Sequence, residues 1–215
     1  MPLRVFSPGV VSESSKTRNH WVMKAAIFVH PSGLCESESV GSGTRIWAFA
    51  HVLEGAVVGK DCNVCDGAYI ESDVVIGDRV TIKNGVMLFD GARIGDDVFL
   101  GPGVVFTNDL NPRSRLRDGT DHLLAIEVKR GATVGANATV ICGTVLGEYS
   151  FIGAGAVVTS NVPAHALMLG TPARRVGWAC RCGHRLDEKL VCQDCGHRYR
   201  QDGDSLITLD AVNPS

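Results

Sequence analysis

Four of the eight cysteines stand in two short clusters near the C-terminus, Cys180-x-Cys182-Gly-His184 and Cys192-x-x-Cys195-Gly-His197, with Tyr199 just beyond. Thiolates from two such turns can surround one ion tetrahedrally, and the glycine after each second cysteine permits the tight backbone turn that this needs. Cys180, Cys182, Cys192 and Cys195 are therefore expected to hold one structural Zn2+, with His184 and His197 as possible substitutes. A segment of about thirty residues has too little core to fold without such a staple. The other cysteines, Cys35, Cys62, Cys65 and Cys142, are scattered where a small apolar residue would serve, which suits a reducing cytoplasm.

A second group of reactive residue types lies between Phe106 and Val128, in the string TNDLNPRSRLRDGTDHLLAIE. Asn108, Asp109, Asn111, Arg113, Arg115 and Arg117 are suited to gripping an anionic polar ligand rather than to packing. Structureless runs of this length are uncommon in compact domains and are usually functional or disordered. Of the seven histidines only His122 falls here, and none sits in a His/Asp/Ser arrangement that spacing makes persuasive. The Asn137-Ala-Thr139 sequon is discounted, because no apolar signal segment precedes it.

The elements that must carry these groups are announced by a period of six. Val40, Ile46, Val52, Val58, Val64, Ile70, Ile76, Ile82, Leu88, Ile94, Leu100 and Phe106 are all apolar, and the phase resumes at Val128 through Val134, Val140, Leu146, Ile152 and Val158. Four residues after each stands a small or β-branched residue, such as Ala50, Ala56, Cys62 or Ala68. Six fits neither the 3.6 of a helix nor simple strand alternation, so the chain is expected to be all-β, a left-handed parallel β-helix of hexapeptide repeats. Three hexads would make one triangular coil, and about six coils would stack by parallel pairing. Trp47 and His51 fall on outward positions of this register, where a neighbouring subunit would cover them.

Charge excludes some partners: 21 Lys+Arg against 23 Asp+Glu gives a net charge of −2, no basis for nucleic acid or an anionic membrane. No apolar run is long enough to span a bilayer. Three parts are expected: a flexible extension over 1–26, the β-helix over 27–176 with its excursion at 107–127, and the zinc-binding tail over 177–215.

The strings IWAFAHV, GDRVTIKNGV, DDVFLGPGVVFTNDLNPRS, KRGATVGANATVICG and GEYSFIGAGAVVTSNVPAHALMLGTPARRVGW, together with the CxCG tail, resemble bacterial hexapeptide-repeat N-acetyltransferases. These enzymes acetylate the 3-amino group of nucleotide-linked amino sugars of the UDP-2-acetamido-3-amino-2,3-dideoxy-glucuronate or dTDP-3-amino-3,6-dideoxyhexose type, on the way to surface glycans such as lipopolysaccharide. The resemblance implies a cytoplasmic homotrimer with acetyl-CoA lying in the groove between subunits. It implies backbone contacts to acetyl-CoA around Gly143, Ala154 and Gly155, and coenzyme phosphates near Arg174 and Arg175. Ser160 stands on the same path, where related enzymes often carry lysine. For the sugar it implies Asn108 as the residue that hydrogen-bonds the attacking amine, with Asp109, Arg113, Arg117 and Asn84 binding substrate.

No histidine base is needed on that reading, since an amine of pKa about 8 is already partly unprotonated at neutral pH. Two other readings stay open. Acetylation of a sugar hydroxyl or a 4-amino group would call for a histidine base at the excursion. A non-catalytic solenoid scaffold, of the kind related to hexapeptide carbonic anhydrases, would lack chemistry altogether; active members of that group need metal-binding histidines, and these coils show no suitably spaced set.

Overall fold

The computed structural model describes residues 26–115 and 123–210, and among these there is no helix. Most strands are two residues long, with the first side chain outward and the second inward. The inward residues Ile46, Ile70, Ile82, Leu88, Leu100 and Ile152 are fully buried, and the small residues Ala50, Ala56, Cys62 and Ala68 fill the corners. A two-residue strand cannot bury its face alone, so stability comes from stacking coil on coil.

The strands form three parallel faces. Face one runs from Phe28–Val29 to Ala166–Leu169 and ends in Arg174–Trp178; face two runs from Leu34–Cys35 to Val157–Val158; face three runs from Ser39–Val40 to Val145–Leu146. Face two has seven strands, so the prism has about seven coils rather than the six expected. The additional coil escaped the six-residue count because it is irregular. Phe28–Val29 pairs with Arg45–Ile46 at a spacing of 17 residues, where Met87 and Val105 stand 18 apart.

The excursion leaves the prism after Val105–Phe106 and returns at Glu127–Val128, at the corner between faces two and three. Its return does not disturb the register: Val105 pairs with Thr139 and Phe106 with Val140, 34 residues apart, so 16 residues are added to one coil. Residues 116–122, which include Arg117 and His122, lie outside the described residues, as does nearly all of the expected N-terminal extension.

At the corner between faces three and one, successive coils place Asp61, Arg79, Asp97 and Tyr149 in the left-handed backbone region, with φ of 55°, 57°, 60° and 54°. That conformation is unfavourable for residues with a side chain. Contacts between coils offset it. Arg79 Nε donates to Asp97 Oδ1 at 2.6 Å, while Tyr149 lies over Gly131, where an added Cβ would collide with its ring. Carboxylates also cap backbone amides one coil away, Asp78 Oδ1 accepting from Lys60 N at 2.7 Å and Asp96 Oδ1 from Asp78 N at 2.9 Å.

Beyond the last coil, Ala166–Leu169 turns back on Arg174–Trp178 as an antiparallel pair. A separate small core follows, made of Cys180, Leu186, Cys192, Tyr199 and Leu206, and Trp178 packs against both this core and the large one. A hairpin of Tyr199–Asp202 and Ser205–Thr208 closes the tail. No helix among the described residues is long and apolar enough to cross a membrane.

Candidate active site and metal centre

Asn108 roots the excursion. Its carbonyl accepts the Leu124 amide at 2.8 Å, and the neighbouring Asp109 forms a bridge with Leu123, so the two limbs are tied where they leave the prism. Asp109 Oδ1 also accepts the Asn111 amide at 2.8 Å, a local turn that shapes the outgoing limb. Thr107 Oγ1 accepts the Cys142 amide, and the Leu124 side chain sits against Gly143. Asn108, Gly143 and Ser160 thus share the corner between faces two and three. Arg113 is exposed further out and, among the described residues, donates to the adjacent Pro112 carbonyl.

Asn84, Ala154 and Gly155 lie instead on the opposite edge of face two, at the corner with face one. Asn84 is exposed and donates to Asp66 Oδ2 at 3.2 Å. Of the three backbone amides that the sequence suggests for acetyl-CoA, two are committed within the prism: Gly143 donates to Ala125 O at 2.9 Å and Gly155 to Ala136 O at 2.8 Å. The Ala154 amide donates no hydrogen bond among the described residues; the residue is exposed, while its nitrogen lies against Gly135 of the coil below. Of the three, it alone is not already used in a hydrogen bond among the described residues.

The two expected phosphate-binding arginines are not equivalent, because neighbours on a strand point to opposite sides. Arg175 is held by the tail: its guanidinium lies 4.3 Å from the Trp178 ring centroid and donates to the Asp204 carbonyl at 3.1 Å. Arg174 is exposed and bonds only the carbonyl of Ala173, its chain neighbour. The family resemblance implies the same role for both, whereas packing among the described residues holds Arg175 against the tail and leaves Arg174 the freer of the two.

Between the two edges, face two presents Leu34, Met87 and Val105, each about half exposed at 49–50%, with Tyr69 and Val157 partly buried in the same column. His51 in this column faces Glu36 at 3.3 Å and packs edge-on to Tyr69. Trp47, at the adjoining corner, is partly covered by its own chain: its indole donates to Asn63 Oδ1 at 2.7 Å, and its ring packs on Phe28.

In the tail the four cysteine sulfurs lie within 4.8 Å of one another. Cys180 and Cys195 are 3.4 Å apart, Cys182 and Cys192 3.5 Å, and Cys182 and Cys195 3.4 Å. Tetrahedral zinc with Zn–S bonds of about 2.3 Å needs sulfurs roughly 3.8 Å apart, so the residues fit the ion with a shift of a few tenths of an ångström. Both histidines border the four-sulfur cluster, His197 Nδ1 lying 3.0 Å from Cys195 Sγ and His184 Nδ1 3.5 Å from Cys182 Sγ, and His184 forms a second, exposed group with Cys182 and Asp194. Burial acts against ionisation of Cys192, but the amides of Cys195 and Asp194 outweigh it and lower the thiol to about 7. Burial pushes the Cys182 thiol up.

The contact among three residues of this region carries no signal in the sequence. Tyr149 and His165 stack with ring centroids 5.3 Å apart, and His165 meets Tyr199 edge-on at 4.9 Å. Their spacing in the chain is irregular, and only the corner geometry brings them into one column.

The family model for the bacterial transferase hexapeptide, of six repeats, matches residues 55–90 and 73–108, and that for the hexapeptide repeat of succinyl-transferase matches 130–160. The chain is 50% identical over 176 residues to dTDP-3-amino-3,6-dideoxy-alpha-D-galactopyranose 3-N-acetyltransferase of Aneurinibacillus thermoaerophilus, covering 80% of this chain and 90% of that one. Among solved structures it is similar to PerB of Caulobacter crescentus in complex with CoA and GDP-perosamine, at 26% identity and a TM-score of 0.51. That likeness covers 72% of this chain and 58% of PerB. The acetyltransferase domain of PglB from Neisseria gonorrhoeae shares the fold, at 17% identity and a TM-score of 0.52, over 72% of this chain and 60% of that one. By its repeats and by a likeness that runs over most of its length, the chain belongs to the hexapeptide-repeat 3-N-acetyltransferases of nucleotide-linked amino sugars.

Proposed function

We propose that the protein transfers the acetyl group of acetyl-CoA to the 3-amino group of a dTDP-linked 3-amino-3,6-dideoxyhexose, in the cytoplasm, as a step toward a surface glycan such as lipopolysaccharide. The observation that carries this reading is the 50% identity to a 3-N-acetyltransferase over 80% of the chain. A UDP-linked 3-amino sugar is the alternative substrate of the same chemistry.

The reaction needs little from the protein in the way of proton transfer. The amine lone pair attacks the thioester carbonyl, and the tetrahedral intermediate collapses with cleavage of the C–S bond. CoA leaves as a thiolate and takes up the proton that the substrate nitrogen gives up, so no acyl-enzyme forms. Asn108 is assigned to hold and orient the amine, with Asn84, Asp109, Arg113 and Arg117 around the sugar nucleotide. On the coenzyme path, the Ala154 amide is assigned a hydrogen bond, Arg174 serves the phosphates, and Gly143, Gly155 and Ser160 shape the wall.

A homotrimer completes the site. Asn108 and Ala154 lie on opposite edges of face two, and one prism keeps them apart. In a closed three-fold ring the contacts are head-to-tail, so one copy's edge meets the other edge of its neighbour. Burying the column of Leu34, Met87 and Val105 near the axis would bring the two edges together. Zn2+ bound by Cys180, Cys182, Cys192 and Cys195 is assigned a structural part, since four protein thiolates leave no open position for chemistry.

Assay of a panel of UDP- and dTDP-linked 3-amino, 4-amino and hydroxyl sugars with acetyl-CoA tests the activity. Preferred turnover of a dTDP-3-amino sugar is expected; acetylation confined to a hydroxyl or a 4-amino group overturns the reading. Sedimentation equilibrium is expected to give a trimer at micromolar concentration, and a stable monomer counts against the shared site.

A further inference from the structure

Tyr199 is the first residue of the closing hairpin and is only 4% exposed. Its hydroxyl has two neighbours, the Arg181 amide at 3.1 Å and the Cys180 sulfur at 3.1 Å. A backbone N–H can only donate, so the hydroxyl oxygen accepts from Arg181. Its own proton is then available for Cys180, which is 1% exposed. A cysteine bound to a metal as thiolate has no proton and can only accept, so with Cys180 as a ligand the hydroxyl is the donor of the second bond. Away from the hydroxyl, the phenol ring meets His165, itself 7% exposed and at the end of the prism. His165 is fixed twice to the start of the tail, its carbonyl accepting the Ala179 amide at 2.7 Å and its Nδ1 lying 2.9 Å from the Ala179 carbonyl. Since that carbonyl only accepts, Nδ1 carries the ring proton. Tyr149, seated over Gly131 one coil below, completes the column.

We propose that Tyr199 is a positioning residue of the metal centre, whose hydroxyl donates a hydrogen bond to the Cys180 thiolate and whose ring ties the bound metal to the last coils of the solenoid through His165 and Tyr149. This rests on the four-cysteine metal reading. Partners outside the first ring of ligands orient the ligands and tune the metal, and their loss typically costs about 10–100-fold in affinity. Here the partner is also the hinge pin between two cores. The metal would therefore sense whether the tail is docked, and docking would depend on whether the metal is bound.

The test uses the full chain loaded with Co2+ in place of zinc. Tyr199→Phe keeps the ring and removes only the hydroxyl. The expected result is a shift of the thiolate-to-cobalt charge-transfer band to lower energy, because a thiolate relieved of a hydrogen bond gives up its electrons more readily. Chelator competition is expected to show about a 10–100-fold loss of affinity. Tyr149→Leu, which lies in the prism and leaves every tail residue in place, is expected to weaken the metal by a smaller factor with the band unmoved. Cobalt bound by Tyr199→Phe with unchanged band and affinity overturns the inference and leaves the four-cysteine reading standing. Absence of cobalt from the parent chain overturns both. If Tyr199→Phe fails to fold, Tyr149→Leu decides: metal affinity equal to the parent's overturns the coupling.

Discussion

The solenoid and the tail solve the same problem, how to make short strands stable, by opposite means. In the solenoid each two-residue strand is held by identical neighbours above and below, and the fully buried column from Ile46 to Ile152 is one continuous core. In the tail five buried residues, two of them cysteines, make up the whole core. Repetition spreads stability over many small contributions, whereas the tail has a small core and, on the proposed metal reading, concentrates its stability in four sulfur atoms. The first arrangement tolerates the loss of one contact and the second does not.

The sharpest way to break that contrast is to withdraw the metal proposed for the tail. Structural zinc in small domains is worth on the order of 10 kcal/mol or more of folding free energy. Chelation, or Cys192→Ser with Cys195→Ser, is expected to abolish metal binding and to expose the tail to limited proteolysis, with the main thermal transition of the prism retained. Metal analysis and mass spectrometry of the digest read both halves. A prism that unfolds together with the tail would mean that the two regions are one cooperative unit.

Next in size is the reverse experiment. Leu100→Ala, in the middle of the solenoid core, is expected to cost about 2–5 kcal/mol in chemical denaturation while leaving the metal content at one ion per chain. Loss of the metal with this substitution would show that the tail depends on the prism more than its separate core suggests.

Asn108→Ala stands third. Removing a polar contact that strengthens as the amine attacks is expected to raise the barrier by about 2–4 kcal/mol, roughly 30- to 1,000-fold in rate, by analogy with loss of an oxyanion-hole donor. His122→Ala is expected to cost far less. The parent's kcat/KM is expected to rise with pH as the substrate amine deprotonates and then to level off. If His122→Ala abolishes turnover while Asn108→Ala spares it, the excursion carries a histidine base.

The smallest effect separates the regions by pH. Burial holds the His165 pKa below its ordinary value near 6.5, so the folded dock prefers neutral imidazole. That stability is complete above about pH 6.5 and is lost as the pH falls below it. Asp97, by contrast, is held below the ordinary carboxylate range chiefly by the hydrogen bond from Arg79. Its contribution is present above that range and is lost only as the pH falls through it. Hydrogen exchange is therefore expected to show loosening around residues 165–179 before any change at the corner of Arg79 and Asp97. His165→Gln should remove the early step.

How much of this was legible in the sequence followed from how local its causes are. The hexads announce the solenoid because each inward residue answers to the same geometry, and the count of coils fell short only where that geometry changes. Cys35 and Val40 are five residues apart rather than six, and Ile152 pairs with Met168 at 16 rather than 18. The cysteine spacing pointed to the cluster of four sulfurs for the same reason, since a knuckle is a local turn. What remained hidden depends on contacts between distant turns. Nothing in the string GTPARRVGW says that Arg175 is claimed by Trp178 and Asp204, or that the amides of Gly143 and Gly155 are already committed to Ala125 and Ala136. Likewise Tyr149, His165 and Tyr199 form a column only because the left-handed corner residues stand one above another.

The excursion has a consequence for how such an enzyme can change. Its ends are tied together by Asn108 and Leu124, and Val105 finds Thr139 as though the intervening residues were missing. The loop is thus a cassette: its length and contents can be exchanged without asking any coil to move. With the sugar placed at the excursion as proposed, natural variation in sugar preference has an inexpensive route, since residues beyond the tie at 108 and 124 can drift, lengthen or be replaced while the scaffold keeps its register. For engineering, a grafted loop closed by the same tie should inherit the scaffold's stability and bring its own selectivity.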